Sequence, residues 1–322
     1  MQIPFPQRAV MSRKSKWIDV QSVDEPAPVV ARYAIRARLM TVWDWLPQAA
    51  KGAADDKENI HQMRVATRRA MAALHLFETF LPRKRSRWFR KQLKQLRETA
   101  GEARDLDVLA QHVSEVCQAD PSSGCALLSE RISQARQAAQ PAVTEIYEKL
   151  QRRDYRRRIK KLVNKTRYRS TESESPTYQD VARTGLRPLA VNFFSAAQAD
   201  FGSILAMHDF RIAGKHLRYA MEVFAAAFSP AFRKELYPMV EELQLKLGAV
   251  NDHANNRDRC LAWLDETTDE SQRLVLSRII ALETAALQAS MREFRDWWTP
   301  ERASNLKTRF WLEIAPSEAP CT

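Results

Sequence analysis

The segment His61-Gln-Met-Arg64-Val-Ala-Thr-Arg68-Arg69-Ala-Met-Ala-Ala-Leu74-His75-Leu-Phe77 is answered 147 residues later by His208-Asp-Phe-Arg211-Ile-Ala-Gly-Lys215-His216-Leu-Arg218-Tyr-Ala-Met221-Glu-Val-Phe224. Downstream, Leu93-x-x-Leu96-x-x-x-x-Gly101-x-x-x-Asp105 and Val240-x-x-Leu243-x-x-x-x-Gly248-x-x-x-Asp252 keep that offset without a gap. Two motifs in one register predict a duplicated four-helix unit. At about 100° per residue, Lys57, His61, Arg64, Arg68 and His75 share one narrow stripe of a helix. Met63, Ala66, Ala70, Leu74 and Phe77 gather on the opposite side. The second copy repeats the division, with His208, Arg211, Lys215 and Arg218 against Phe210, Ala213, Leu217, Met221 and Phe224. Met71 stands where the second copy has Arg218.

Like charges at i,i+3 and i,i+4 repel, and helices exposed to water usually interleave acids to relieve this. Between Lys57 and Glu78 the only acid is Glu58. Two stripes of uncompensated cations therefore predict an anionic partner. A further patch, Arg90, Lys94, Arg97 and Arg104, falls within about 80° of the next helix. Its second-copy positions hold Tyr237, Glu241, Gln244 and Asn251, so the site is expected to be asymmetric. The run from Lys149 to Arg169 is also densely basic, and contact with ligand or plain solvation are equally open for it. Gly101 and Gly248 are expected to mark close helix packing or a kink. Asp105 and Asp252 are readable either as partners that orient Arg or His or as surface acids.

Composition agrees with an all-α fold. Only 7 of 322 residues are glycine, well below the usual share of about 7%, and alternating β-branched runs are missing. Helices are predicted near 27–52, 57–81, 83–117, 122–165, 186–206, 208–228, 231–265 and 269–298. Residues 1–24 read as a flexible arm, 25–165 as a first helical repeat, 166–180 as a polar linker, 181–300 as a second repeat and 301–322 as a tail. Lys and Arg number 51 against 39 acids, a net charge of +12, which favours a polyanion or acidic surface. No stretch approaches about eighteen uninterrupted apolar residues, so no membrane is expected as a partner. Cys117, Cys125, Cys260 and Cys321 lack C-x-x-C spacing and are expected to be reduced thiols of a cytoplasmic protein.

Phosphate-loop, dinucleotide, zincin and nucleophile-elbow signatures are absent. No catalytic residue, metal ligand or cofactor is expected. A metal between His61 and His208 is disfavoured by the arginine three residues after each.

The segments His61-x-x-Arg64-Val-Ala-x-Arg68-Arg69, Leu96-x-x-x-x-Gly101-x-Ala-Arg104-Asp105-x-Asp107-Val108-Leu109, His208-x-x-Arg211-Ile-Ala-x-Lys215-x-Leu217-Arg218-Tyr219 and Leu243-x-x-x-Leu247-Gly248-x-Val-Asn251-Asp252 resemble the CHAD family, the conserved-histidine α-helical domains. The resemblance covers roughly residues 25–300. It implies two four-helix bundles related by pseudo-twofold symmetry, with basic helix faces lining a central cavity. It also implies inorganic polyphosphate as ligand and association with polyphosphate granules and their proteins. The E-x-E-x-K motif of the CYTH triphosphatase domain found in many members is not present, so hydrolysis is not expected. The resemblance assigns binding to His61, Arg64, Arg68, His208, Arg211, Lys215 and Arg218, and less firmly to Arg97 and Arg104. The patch on the third helix adds Arg90 and Lys94.

A phosphate chain needs bidentate Arg, point-charge Lys and His hydrogen bonds, and no stacking platform. Two other functions remain open, an RNA-binding helical module and a metal-dependent phosphohydrolase. The first would need the eight tryptophans beside the basic stripes, but most lie on other helices.

Overall fold

The computed structural model describes residues 15–52, 57–119, 121–168 and 174–315. Among the described residues ten α-helices follow one another: α1 Ala27–Lys51, α2 Lys57–Leu76, α3 Arg83–Ala119, α4 Ser123–Arg152, α5 Tyr155–Val163, α6 Tyr178–Ala196, α7 Ile204–Phe224, α8 Tyr237–Glu266, α9 Glu270–Trp297 and α10 Pro300–Ile314. Single 3₁₀ turns close α2 and α7, and a π-helical turn at Phe232–Leu236 runs into α8. No strand occurs among the described residues; one isolated bridge joins Pro26 and Thr177. The 147-residue offset recurs in the element boundaries. α4 and α9 begin at 123 and 270.

The apolar faces are buried as the periodicity requires. None of Met63, Ala66, Ala70, Leu74, Phe77, Phe210, Ala213, Leu217, Met221 and Phe224 is more than 3% exposed. One hydrophobic core runs through both halves of the chain, from Ile18 to Ile314. A second, around Leu106, Leu128, Cys260 and Leu276, is shared by α3, α4, α8 and α9. Neither half therefore owns its core alone. α2 packs on α7, α3 on α8 and α4 on α9, which brings the repeated segments face to face.

Several expectations are corrected. The helix expected over 122–165 breaks after Arg152, where Asp154 adopts φ 53°, a left-handed conformation Asp tolerates better than most residues. The break lets α5 fold back so that buried Tyr155 stacks on Trp43 at 5.4 Å. α6 starts at Tyr178, not near 186, because Thr177 and Asp180 form a capping box. The expected tail is the helix α10 as far as Ile314, capped by Thr299 with Pro300 in the first turn. The expected flexible arm is anchored from residue 15 onward. Ile18 is buried, Trp17 meets Tyr237 edge-on at 4.6 Å, and Arg38 donates to the carbonyls of Ser15 and Lys16. Residues 1–14, 169–173 of the linker and 316–322, with Cys321, lie outside the described residues.

The cysteine expectation is also overturned. Cys117 and Cys125 form a disulfide because the α3–α4 hairpin brings their Cα atoms to 5.8 Å, within bonding range. Only Cys260 is a free, buried thiol among the described residues. α9 is long and apolar enough by composition to cross a membrane, though it holds no uninterrupted apolar run. Its Val275, Leu276, Ile279, Glu283, Leu287 and Phe294 are instead buried in the bundle.

At the start of that hairpin a Cβ on Gly124 would lie 2.2 Å from the Ser271 carbonyl oxygen and 2.8 Å from Val275. Gly124→Ala is expected to destabilise the fold by about 1–3 kcal/mol, read as a lower denaturant midpoint with an unchanged slope.

Candidate anion-binding site

With the apolar faces of α2 and α7 locked into the core, their basic stripes converge where the two helices meet. Arg64 lies half-buried across α3, its Nη1 donating to the Arg97 carbonyl at 2.7 Å. Gly101 makes room for it, since a Cβ there would stand 3.3 Å from that nitrogen. That is a more specific role than the expected helix packing, whereas nothing packs within 4 Å of a Cβ on Gly248 and its glycine has no explanation here. On the other side Arg211 Nη1 donates to Asn251 Oδ1 at 3.2 Å, and His208 Nδ1 lies 3.3 Å from the same oxygen. Gln244 Nε2 in turn donates to the Arg211 carbonyl at 3.1 Å.

Arg68 joins the two stripes. It acts electrostatically on Arg64 and His61 from its own helix and on Arg211 and Lys215 from α7. Burial, then Arg68 and other neighbouring cations, lowers the Arg64 guanidinium to about 10. Burial, followed by Arg211 and Arg68, brings Lys215 down from 10.5 to about 6. His61 is depressed by burial and then by Arg104, and His216 by partial burial, Arg97 and Lys215. The cluster thus gathers cations from α2, α3 and α7 that make one another's charge unfavourable. Asp105 is a weak counterweight, because burial pushes its carboxyl up even against Arg64 and Arg259. Asp252 favours the charged forms of Arg211 and Lys215. Both acids belong to the electrostatics of the site.

Of the expected residues, His61, Arg64, Arg68, Arg97, Arg104, Arg211 and Lys215 form this mutual network, and His208 sits beside it through Asn251. Arg90, Lys94 and Arg218 have partners of their own, though Arg218 also opposes the Lys215 charge. Arg90 Nη2 donates to Glu78 at 2.6 Å, Lys94 is exposed and 3.7 Å from Glu98, and Arg218 is 3.6 Å from Glu241 and over the Tyr219 ring. Burial opposes the Arg218 charge, but Tyr219 and Glu222 outweigh it and its pKa rises. The Lys57 side chain lies outside the described residues. His216 and His75 were not singled out as ligands; His75 is depressed by partial burial and then by Arg90. Their signal was adjacency to Lys215 and the seven-residue step from Arg68.

The basic run forms a recess of its own, where Arg85, Arg153, Arg157, Arg158 and Lys161 surround Trp88. Arg158 covers that ring at 4.5 Å. Trp17, Trp263 and Trp297 are likewise covered by Arg233, Arg131 and Arg302.

The family model of the CHAD domain matches residues 33–261, which span the α2, α3, α7 and α8 segments just described. The chain belongs to the CHAD family. Among solved structures it is similar to the CHAD domain from the plant Ricinus communis, with a TM-score of 0.67 and 19% identity over 87% of this chain and 96% of that one. It is also similar to PptA from Streptomyces chartreusis, with a TM-score of 0.61 and 14% identity over 85% of this chain and 99% of that one. These likenesses show a shared fold. No curated protein matches in sequence.

Proposed function

We propose that this CHAD protein binds inorganic polyphosphate at the α2–α7 cluster without hydrolysing it. The observation that carries the proposal is the group of half-buried cations, Arg64, Arg68, Arg211 and Lys215, whose charges oppose one another in the free protein. A chain of phosphates running along them would replace that repulsion with charge-assisted hydrogen bonds. Membership of the CHAD family supports the same ligand, as does the covering of Trp17, Trp88, Trp263 and Trp297, which leaves those faces closed to bases. Attachment to cytoplasmic polyphosphate granules is part of the proposal. The Cys117–Cys125 bond, of a kind the reducing cytosol disfavours, is the observation that weighs against that location.

The test is equilibrium binding of long-chain polyphosphate and of length-matched single-stranded RNA, across a salt titration. Wild type is expected to prefer polyphosphate with a steep salt dependence. Arg64→Glu with Arg211→Glu is expected to abolish binding while helicity by circular dichroism persists, and Arg158→Glu to do much less. Equal loss in both variants would reduce the site to net charge, and equal affinity for RNA would reject the ligand. Phosphate release with added Mg²⁺ or Mn²⁺ would reject the non-catalytic part.

A further inference from the structure

A second convergence of titratable groups lies on helices α3, α8 and α9. Glu283, its side chain 6% exposed, offers one carboxylate oxygen to each of two imidazoles. Oε1 lies 2.8 Å from His112 Nδ1 and Oε2 2.6 Å from His253 Nδ1. The two rings stand 5.4 Å apart between centroids. Asn256, itself buried, brings its Nδ2 to 3.0 Å from His112 Nδ1 and 3.1 Å from Glu283 Oε1.

Hydrogen bonding alone leaves this group frustrated. His112 Nδ1, Glu283 Oε1 and Asn256 Nδ2 form a triangle in which each side needs one donor and one acceptor. A proton on His112 Nδ1 serves the carboxylate but turns an N–H against the amide donor. Without that proton the amide is satisfied, and the imidazole lone pair faces a carboxylate oxygen instead. Turning the amide over sets its oxygen against Oε1. Protonating Glu283 instead leaves the single lone pair of His112 Nδ1 shared between two donors. A cation between His112 Nδ1 and Glu283 gives both inward lone pairs a partner, and Asn256 Nδ2 then donates to Glu283 Oε1.

The surroundings favour a cation as well. Glu115, Asp252, Glu283 and Glu293 line the adjoining groove of about 810 Å³, where Lys246 is the only lysine or arginine. Lys246 is paired with Glu293 at 2.6 Å. In a chain of net charge +12 this is a locally acidic place. Two imidazole nitrogens and one carboxylate oxygen suit zinc and its first-row neighbours better than Mg²⁺ or Ca²⁺, which prefer all-oxygen shells. The three ligand atoms lie within 4.8 Å of one another, close to the span that bonds of about 2.0–2.2 Å require.

We propose that His112, His253 and Glu283 form a binding site for a zinc-class dication, with Asn256 supporting the ligands and one coordination position open to the groove. No spacing in the sequence announces it, since the ligands come from three helices. Binding would tie α3 to α8 and α9.

Co²⁺ serves as a visible probe on the full chain after treatment with EDTA. One Co²⁺ per chain is expected, with d–d absorption that Zn²⁺ abolishes by displacement. The band should be lost in His112→Ala with His253→Ala, persist in His61→Ala with His208→Ala, and require about 10-fold more Co²⁺ in Asn256→Ala. Should the double alanine variant fail to fold, thermal unfolding decides: Zn²⁺ is expected to raise the midpoint of wild type and not that of Glu283→Gln. An absent band in wild type, or equal Zn²⁺ stabilisation of wild type and Glu283→Gln, overturns the site. All of these readouts are taken without polyphosphate, so they stand apart from the anion-binding proposal.

Discussion

At pH 8, binding of long-chain polyphosphate is expected to take up about one proton through Lys215, and Lys215→Met is expected to remove most of that uptake. In the free protein Lys215 titrates near 6, depressed first by burial and then by Arg211 and Arg68. It is therefore largely neutral at pH 8, although its ordinary value is 10.5. Phosphates placed beside it favour the ammonium form, so complex formation draws a proton from the buffer. Calorimetry in two buffers of different ionisation enthalpy reads this directly. Binding heats that are the same in both buffers would show that Lys215 is not at the ligand. Loss of one charge-assisted contact should also weaken binding by about 10- to 100-fold.

The same depression carries a stability signature whose sign is fixed by linkage. Because the folded value lies below the unfolded one, the unfolded chain holds more protons between about pH 6 and 10.5. Stability from this group therefore rises with pH across that window, and its penalty is fully present below about pH 6. Lys215→Met removes the penalty. The variant is expected to gain most over wild type near pH 5.5 and little near pH 10. A protein that is harder to unfold yet binds its anion less well is the mark of a site whose charges were placed for the ligand.

Much of this was legible in the sequence, for identifiable reasons. The apolar positions of both repeats are all buried, because one face of a long amphipathic helix has nowhere else to go. The Thr177-x-x-Asp180 box and the Thr299-Pro300 pair were visible signals of α6 and α10, but a polar linker composition and an expected tail hid them. The break at Asp154 was hidden by the unbroken basic run on either side. Within the site, helical spacing found Arg64, Arg68, Arg211 and Lys215 because neighbours on one helix face are local. It could not find that Glu241 and Glu78 occupy Arg218 and Arg90, although the third pair, Lys94 with Glu98, is an i,i+4 step that a wheel does contain. Two of these pairings depend on chain reversal after α2 and after α7, which a wheel does not contain. The Cys117–Cys125 bond was missed for the same reason.

Arg69→Met is expected to destabilise the protein by about 3–5 kcal/mol, although Arg69 is the sequence neighbour of Arg68 in the basic cluster. One residue of rotation turns Arg69 away from the cluster and toward Glu222, which has no exposed side-chain surface. Arg69 Nε donates to Glu222 Oε2 at 2.6 Å and Nη2 to Oε1 at 3.3 Å. Tyr237 completes the carboxylate with its hydroxyl at 2.8 Å. This pair spans α2 and α7, so it holds together the two helices whose outer stripes form the site. Methionine keeps most of the arginine's packing but leaves a buried carboxylate without its cation, and that, more than the lost pair, is the source of the cost. Adding Glu222→Gln should restore much of the stability, because the orphaned charge is gone while Tyr237 keeps an acceptor. Denaturant midpoints of the single and double variants measure both effects. Polyphosphate affinity per folded molecule should be unchanged in the double variant. A matching fall in affinity would place Arg69 in the anion site, and an unchanged midpoint in the single variant would show that Glu222 has enough partners without it.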